Sequence, residues 1–126
     1  MRVRDYRAGY AVPAEDKVRK VGNNTLEHID ANGTRRIILH ETTILTFDPN
    51  GETVQIKAGR WRSNTTKQRM NANLPASFGI SQRNFSWYIR TPAGTFDYQD
   101  GIYNLKTGEY IRALTPMDAV HNKVNA

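Results

Sequence analysis

Five turn signals cut the chain into pieces too short for anything but hairpins. They are Asn32-Gly33, Asp48-Pro49-Asn50-Gly51, Thr91-Pro92-Ala93-Gly94, Asp100-Gly101 and Lys106-Thr107-Gly108. Each combines residues that tolerate a positive φ, fix φ, or bond to their own backbone. Connections this short pair strands antiparallel, since a parallel crossover needs a dozen or more residues. The runs between them alternate as half-buried strands do. Thr25 to Ile29 sets Leu26, His28 and Asp30 on one face and Thr25, Glu27 and Ile29 on the other. Asn32-Gly33 predicts a two-residue hairpin with positive φ at both positions. The run "TRRIILHETTILTF" reads as one long bent strand or two short ones, and "ETVQIKA" sets Val54, Ile56 and Ala58 against Thr53, Gln55 and Lys57. Later, "NFSWYIR" places Phe85, Trp87 and Ile89 on a core face and Asn84, Ser86, Tyr88 and Arg90 opposite.

One stretch breaks the pattern. "SNTTKQRMNANLP" has Ser63, Asn64 or Thr65 as N-cap, a capping box of Thr65 with Gln68, an apolar stripe of Met70 and Leu74, and Pro75 as terminator. It predicts a helix over about 64–74. Such a helix is too short to be stable alone, so Met70, Leu74 and Trp61 must hold it on the sheet. The expected fold is α+β: one domain over 17–114, antiparallel sheet built from hairpins, one short inserted helix, and no obvious OB barrel. Residues 1–16, with Arg2, Arg4 and Arg7 between Tyr6 and Tyr10, read as a basic, aromatic arm or a disordered tail. Residues 115–126 read as a C-terminal tail or short helix.

Composition narrows the chemistry. With 126 residues the chain is the size of one domain, and 38% hydrophobic residues make a thin core that an oligomer would complete. There is no Cys, which excludes disulfides, thiol catalysis and thiolate metal sites. The N-terminus lacks the apolar core of a signal peptide, and no apolar run approaches membrane-spanning length. A soluble protein without a membrane partner is expected. The three histidines, His28, His40 and His121, have no metal-ligand spacing. A pairing of His28 with His40 across a hairpin is weaker than two ordinary strand histidines. No phosphate loop or nucleophile elbow is present, and most carboxylates sit beside turns, where Asp serves structure. No enzyme and no cofactor are expected.

The net charge of +6 is unevenly placed. Between Glu52 and Asp97 there is no acid, while Lys57, Arg60, Arg62, Lys67, Arg69, Arg83 and Arg90 all fall in that span. Aromatic residues interleave with them. Cations neutralise phosphates and aromatic faces accept bases, a combination that suits single-stranded nucleic acid. Tyr88, on the polar face beside Arg90, is the better stacking residue. Trp61 and Trp87 are more often core, and basic runs are usually only solvated faces. Duplex reading would want a longer recognition element.

"VGNNTL", "ILHETTILTFDPNGETVQIKAGRWRSNTTKQRMNANLP" and "TPAGTFDYQDGIYN", covering Lys20 to Asn104, resemble a family of small phage proteins. Thr65-Thr66-Lys67-x-Arg69-x-Asn71 follows its central motif, whereas Leu26 and Arg60 replace a frequent Tyr and Gly. The family includes the single-stranded-DNA-binding RNA polymerase cofactor of Schitoviridae phages. The resemblance implies an oligomeric early protein in the host bacterial cytoplasm that binds single-stranded DNA without sequence preference. It would help a phage RNA polymerase engage an opened early promoter. The expected contacts are Lys57, Arg60, Trp61, Arg62, Lys67, Arg69, Arg83, Tyr88 and Arg90. The alternatives are a protein-interaction role in host takeover or the virion, and binding of RNA or double-stranded DNA.

Overall fold

The turn residues set the hairpins, though not always where the dipeptides suggested. In the computed structural model, which describes residues 15–60 and 62–121, β1 (Lys17–Gly22) and β2 (Thr25–Ile29) are joined by Asn23-Asn24, with Asn24 at φ 53°. Asn32-Gly33 is not a two-residue turn. Only Gly33 has positive φ (95°), and the connection spans Asp30 to Thr34, because Asp30 and Asn32 side chains both accept from the Thr34 N–H at 3.1 and 3.0 Å. These side-chain turns compete with the tighter form. The long Ile/Leu/Thr run is two strands, β3 (Arg35–Leu39) and β4 (Thr42–Phe47), turning at His40-Glu41 with His40 at φ 56°. The expected arm up to Ala14, Trp61, and the tail beyond His121 lie outside the described residues.

After β5 (Thr53–Ile56) the chain leaves the sheet and returns as β9 (Gly101–Asn104) and β10 (Tyr110–Arg112). The resulting sheet has seven strands in the order β1-β2-β3-β4-β5-β9-β10, every pair antiparallel. Residues 57–100 are thus an insertion between two neighbouring strands. They form helix α1 (Asn64–Asn73) and a second sheet, β6 (Gly79–Arg83), β7 (Ser86–Thr91) and β8 (Gly94–Asp97), in the order β6-β7-β8. Helix α2 (Pro116–His121) follows β10.

The α+β expectation is therefore corrected: the fold is predominantly antiparallel β. Among the described residues ten strands stand against helices of ten and six residues. The reason is physical. The insertion that packs on the large sheet supplies three further strands, β6 to β8, beside the single short helix α1. Ile37, Leu39, Leu45, Phe47, Val54 and Ile56 from one side meet Met70, Leu74, Phe78, Ile80, Trp87 and Ile89 from the other in one core. Each such side chain contributes roughly 1.5–3 kcal/mol by burial.

The helix ends as its sequence dictates, with one exchange. Ser63, not a Thr65–Gln68 box, is the N-cap: its hydroxyl accepts from the Thr66 N–H at 3.2 Å. Thr66, Met70 and Leu74, four apart, are buried against the sheets. Asn71 locks the other flank. Its amide donates to the Ile80 carbonyl at 2.9 Å and accepts from the Ile80 N–H at 2.7 Å. Because β6 is an edge strand, this satisfies backbone groups that no neighbouring strand pairs.

Candidate nucleic-acid interface

The insertion is tied shut at its base. Asp100 accepts from the Ala58 N–H at 2.9 Å, the Gly59 N–H at 3.0 Å and the Tyr98 hydroxyl at 2.7 Å. Gly59 sits at φ 58°, a conformation glycine adopts at little cost. Burial, aided by the Asp100 charge, pushes the Tyr98 phenol far above its ordinary value, so its hydroxyl stays a donor. The loop that leaves this clasp carries Arg60 and Arg62, both exposed.

Above the clasp two cations meet two rings. Trp87 and Tyr98 pack edge to face with centroids 5.4 Å apart. The Arg62 guanidinium lies 5.0 Å from the Tyr98 ring, and the Lys67 ammonium lies 6.0 Å from the Trp87 ring. These are cation–π distances. Lys67 also donates to the Gln82 side chain at 3.2 Å. Gln82 pairs with Trp87 across the sheet, one residue before Arg83 at the hairpin end. The structure thus brings Arg62, Lys67 and Arg83 to one end of the small sheet. Trp87 is buried, as its usual role as a core residue suggests.

The remaining expected contacts do not join that group. Arg69 points the other way along the helix, donating to the Thr25 hydroxyl at 2.9 Å over Gly22. Arg90 lies on the outer face of the small sheet and donates to the carbonyls of Ala76, Ser77 and Phe78 at 3.2–3.4 Å. It crosses Gly79, where a Cβ would stand 2.7 Å from its Nη2. Tyr88 is half-buried on the same outer face, between Ser81 and Asp97. Lys57 is half-buried just after β5. The eight of these residues that the structure describes therefore form a belt around the insertion and not a single face.

No ion pair between described residues includes any of the seven bases of the insertion. The pairs that exist join Arg19 and Arg35 to Glu27, Arg36 to Asp30, Arg112 to Asp118, and His28 to Asp16. All lie outside residues 53–96. His28 is fully buried with its Nε2 2.7 Å from the Asp16 carboxylate, and across the β2–β3 pair it stands opposite Arg36. Among the described residues no cluster of His, Cys, Asp or Glu could hold a metal ion. No helix among them is long and apolar enough to cross a membrane.

Two features escaped sequence reasoning. Phe85 was expected on the core face, but it occupies the β6–β7 turn and is 95% exposed. Alternation across 85, 87 and 89 hides this, and the only signal is Asn84, a residue at home at positive φ, between two alternating runs. The second is a cleft of about 420 Å³ between α1 and the β3–β4 turn, lined by Leu39, His40, Thr42, Ile44, Ala58 and Ser63 among others. The Arg60–Arg62 loop joins the last two of these.

Fold and surface together define a small antiparallel β-protein whose inserted unit carries a cationic belt with no carboxylate partner among the described residues. The chain belongs to a phage protein family, described as Kyanoviridae Gp96 protein, whose match spans residues 1–111. That match is not to the Schitoviridae cofactor that the sequence motif resembles. No curated protein and no solved structure matches the chain.

Proposed function

We propose that this phage protein binds single-stranded DNA through its inserted unit, without sequence preference. The observation that carries this reading is the belt itself. Seven cations within 44 consecutive acid-free residues (53–96) have no carboxylate partner among the described residues, while Arg19, Arg35, Arg36 and Arg112 outside that span each pair with a carboxylate. An unneutralised belt attracts a polyanion, and a curved one follows a flexible strand better than a rigid duplex. The outer-face Tyr88 and the cleft beside the Arg60–Arg62 loop give bases a place to rest. Short α1, docked on two sides through Arg69 and Asn71, is poorly suited to enter a major groove.

Assembly and context are part of the same proposal. Phe96 on β8 and Tyr110 and Ile111 on β10 are exposed on strands that end their sheets, which favours association of copies through these edges. The motif resemblance adds a role in transcription, helping a phage RNA polymerase engage an opened early promoter.

The test is fluorescence anisotropy with labelled single-stranded oligonucleotide, from about 50 to 200 mM salt. Affinity should fall with a log–log slope of about −0.7 per phosphate neutralised, several units in all. Duplex DNA and RNA of the same length should compete less well. Absence of binding at the lowest salt would end the reading, and a single stoichiometric protein captured independently of nuclease would replace it.

A further inference from the structure

The β6–β7 hairpin ends in a turn that its second residue disfavours. Arg83 pairs with Ser86 across a two-residue loop, and Asn84 and Phe85 both have positive φ, 51° and 70°. Such a turn calls for Asn-Gly. Asn84 suits it, but the Cβ of Phe85 crowds the backbone in the left-handed region. A bulky residue can be held there when its side chain packs into the fold. Phe85 does not: it is 95% exposed, whereas Trp87 and Ile89 on the same strand are buried. Neither local preference nor packing accounts for a phenyl ring at this tip. Strain retained without a structural return points to a site.

The surroundings name the partner. Arg83 flanks the ring in sequence, and Gln82 beside it receives the Lys67 ammonium at 3.2 Å. Lys67 and Arg62 stand over the neighbouring Trp87–Tyr98 pair at 6.0 and 5.0 Å. An exposed ring set among cations that have no carboxylate partner among the described residues fits a ligand with anionic groups and flat apolar ones in alternation.

We propose that Phe85 is a base-stacking residue: the hairpin tip presents its ring to an unstacked base of a single strand whose phosphates pass Arg83, Lys67 and Arg62. This rests on the single-stranded DNA reading above and assigns the aromatic contact within it to a residue expected in the core. The two roles of the position then oppose each other. Glycine relieves the turn and removes the platform.

Full-length Phe85→Gly, Phe85→Trp and wild type would be titrated by anisotropy with a thymidylate strand of about 16 nucleotides. A strand of equal length with abasic sites keeps the phosphates and lacks the bases. Thermal melting and light-scattering mass would be recorded for each protein. Phe85→Gly should melt no lower than wild type yet bind the thymidylate strand about tenfold or more weakly, since stacking contributes that order per base. Its affinity for the abasic strand and its salt slope should stay at wild-type values, and Phe85→Trp should retain tight binding. Equal affinity of Phe85→Gly and wild type for thymidylate overturns this inference alone. Loss of equal size on both strands also overturns it, because the ring then acts through the fold. A change of mass without a change of affinity makes the tip a contact between copies and overturns it too. Failure of wild type to bind either strand removes the parent reading and this one together.

Discussion

The first two hairpins and the inserted unit use the same side chains for opposite ends. In β1–β3, Glu27 is nearly buried and receives Arg19 at 2.7 Å and Arg35 at 2.9 Å, while Arg36 reaches Asp30 at 2.7 Å. Arg35 also lies 4.4 Å from the Phe47 ring. Here each guanidinium has a carboxylate and holds strands in register. In the insertion, Arg62, Lys67 and Arg90 rest on rings, an amide and carbonyls, and no described carboxylate meets them. A neutral partner fixes a cation's position without cancelling its charge. The contrast separates charge used for folding from charge left for a ligand.

The sharpest way to break the contrast is to reverse the charges at the ring pair. Arg62→Glu with Lys67→Glu should weaken single-strand binding by about a hundredfold, and flatten the salt slope by about 1.4, two phosphates' worth. Melting should change by little, because both side chains are solvent-facing cations on neutral supports and surface charges contribute at most about 1 kcal/mol. Anisotropy at two salt concentrations and a thermal melt on the same preparations measure both. A large fall in melting temperature would mean that these cations hold the insertion together and would erase the distinction.

Asn71→Ala probes the opposite corner of the comparison, a polar residue of the insertion that serves only the fold. Removing its amide leaves the Ile80 N–H and carbonyl unsatisfied at a part-buried strand edge. The cost should be about 2–3 kcal/mol, read from denaturant melts. Binding measured well below the midpoint should be unchanged. A binding loss without destabilisation would return Asn71 to the interface.

Much of this was legible in the chain, and the limits have causes. The acid-free span, 53–96, falls almost entirely on the insertion, because a surface charge pattern needs no tertiary information to be seen. The Asp48–Gly51, Thr91–Gly94 and Lys106–Gly108 turns, the Met70–Leu74 stripe and the end of α1 are local, and sequence reaches them. Strand partners are not local. Nothing in "TVQI" and "GIYN" says that β5 and β9 pair across 44 residues, so the pattern alone does not divide the strands after α1 into a separate sheet, and it reads as α+β. Phe85 misled for a related reason: alternation reports which residues share a face, not where the strand stops. Of the resembling motif, Thr66 is buried behind the N-cap, Arg69 grips Thr25 and Asn71 seals β6. These roles depend on neighbours from elsewhere in the chain, and they make much of that motif a docking device for the helix.

The smallest expected effect concerns pH and tests the paired region. Burial alone would raise the Glu27 carboxyl, but hydrogen bonds from Arg19 and Arg35 outweigh it and hold the pKa below the ordinary 4.5. A carboxyl depressed on folding contributes stability that is fully present above its unfolded value and is lost as pH falls through the folded one. Glu27→Gln should therefore cost about 1–2 kcal/mol at neutral pH, the scale of a hydrogen bond to a charged group. The gap between wild type and variant should be constant from pH 8 to about pH 6 and close below about pH 4.5. Single-strand binding should not follow it. Lys and Arg stay protonated and phosphodiesters stay ionised throughout that window, so affinity at fixed salt should be level for both proteins. Chemical denaturation and anisotropy across the same pH series check the pair of outcomes. A stability gap that persists at low pH would mean that Glu27 acts by shape and not by charge. An affinity that tracks it would mean that the first hairpins belong to the interface after all, and that the division between paired and free charge does not follow the boundary of the insertion.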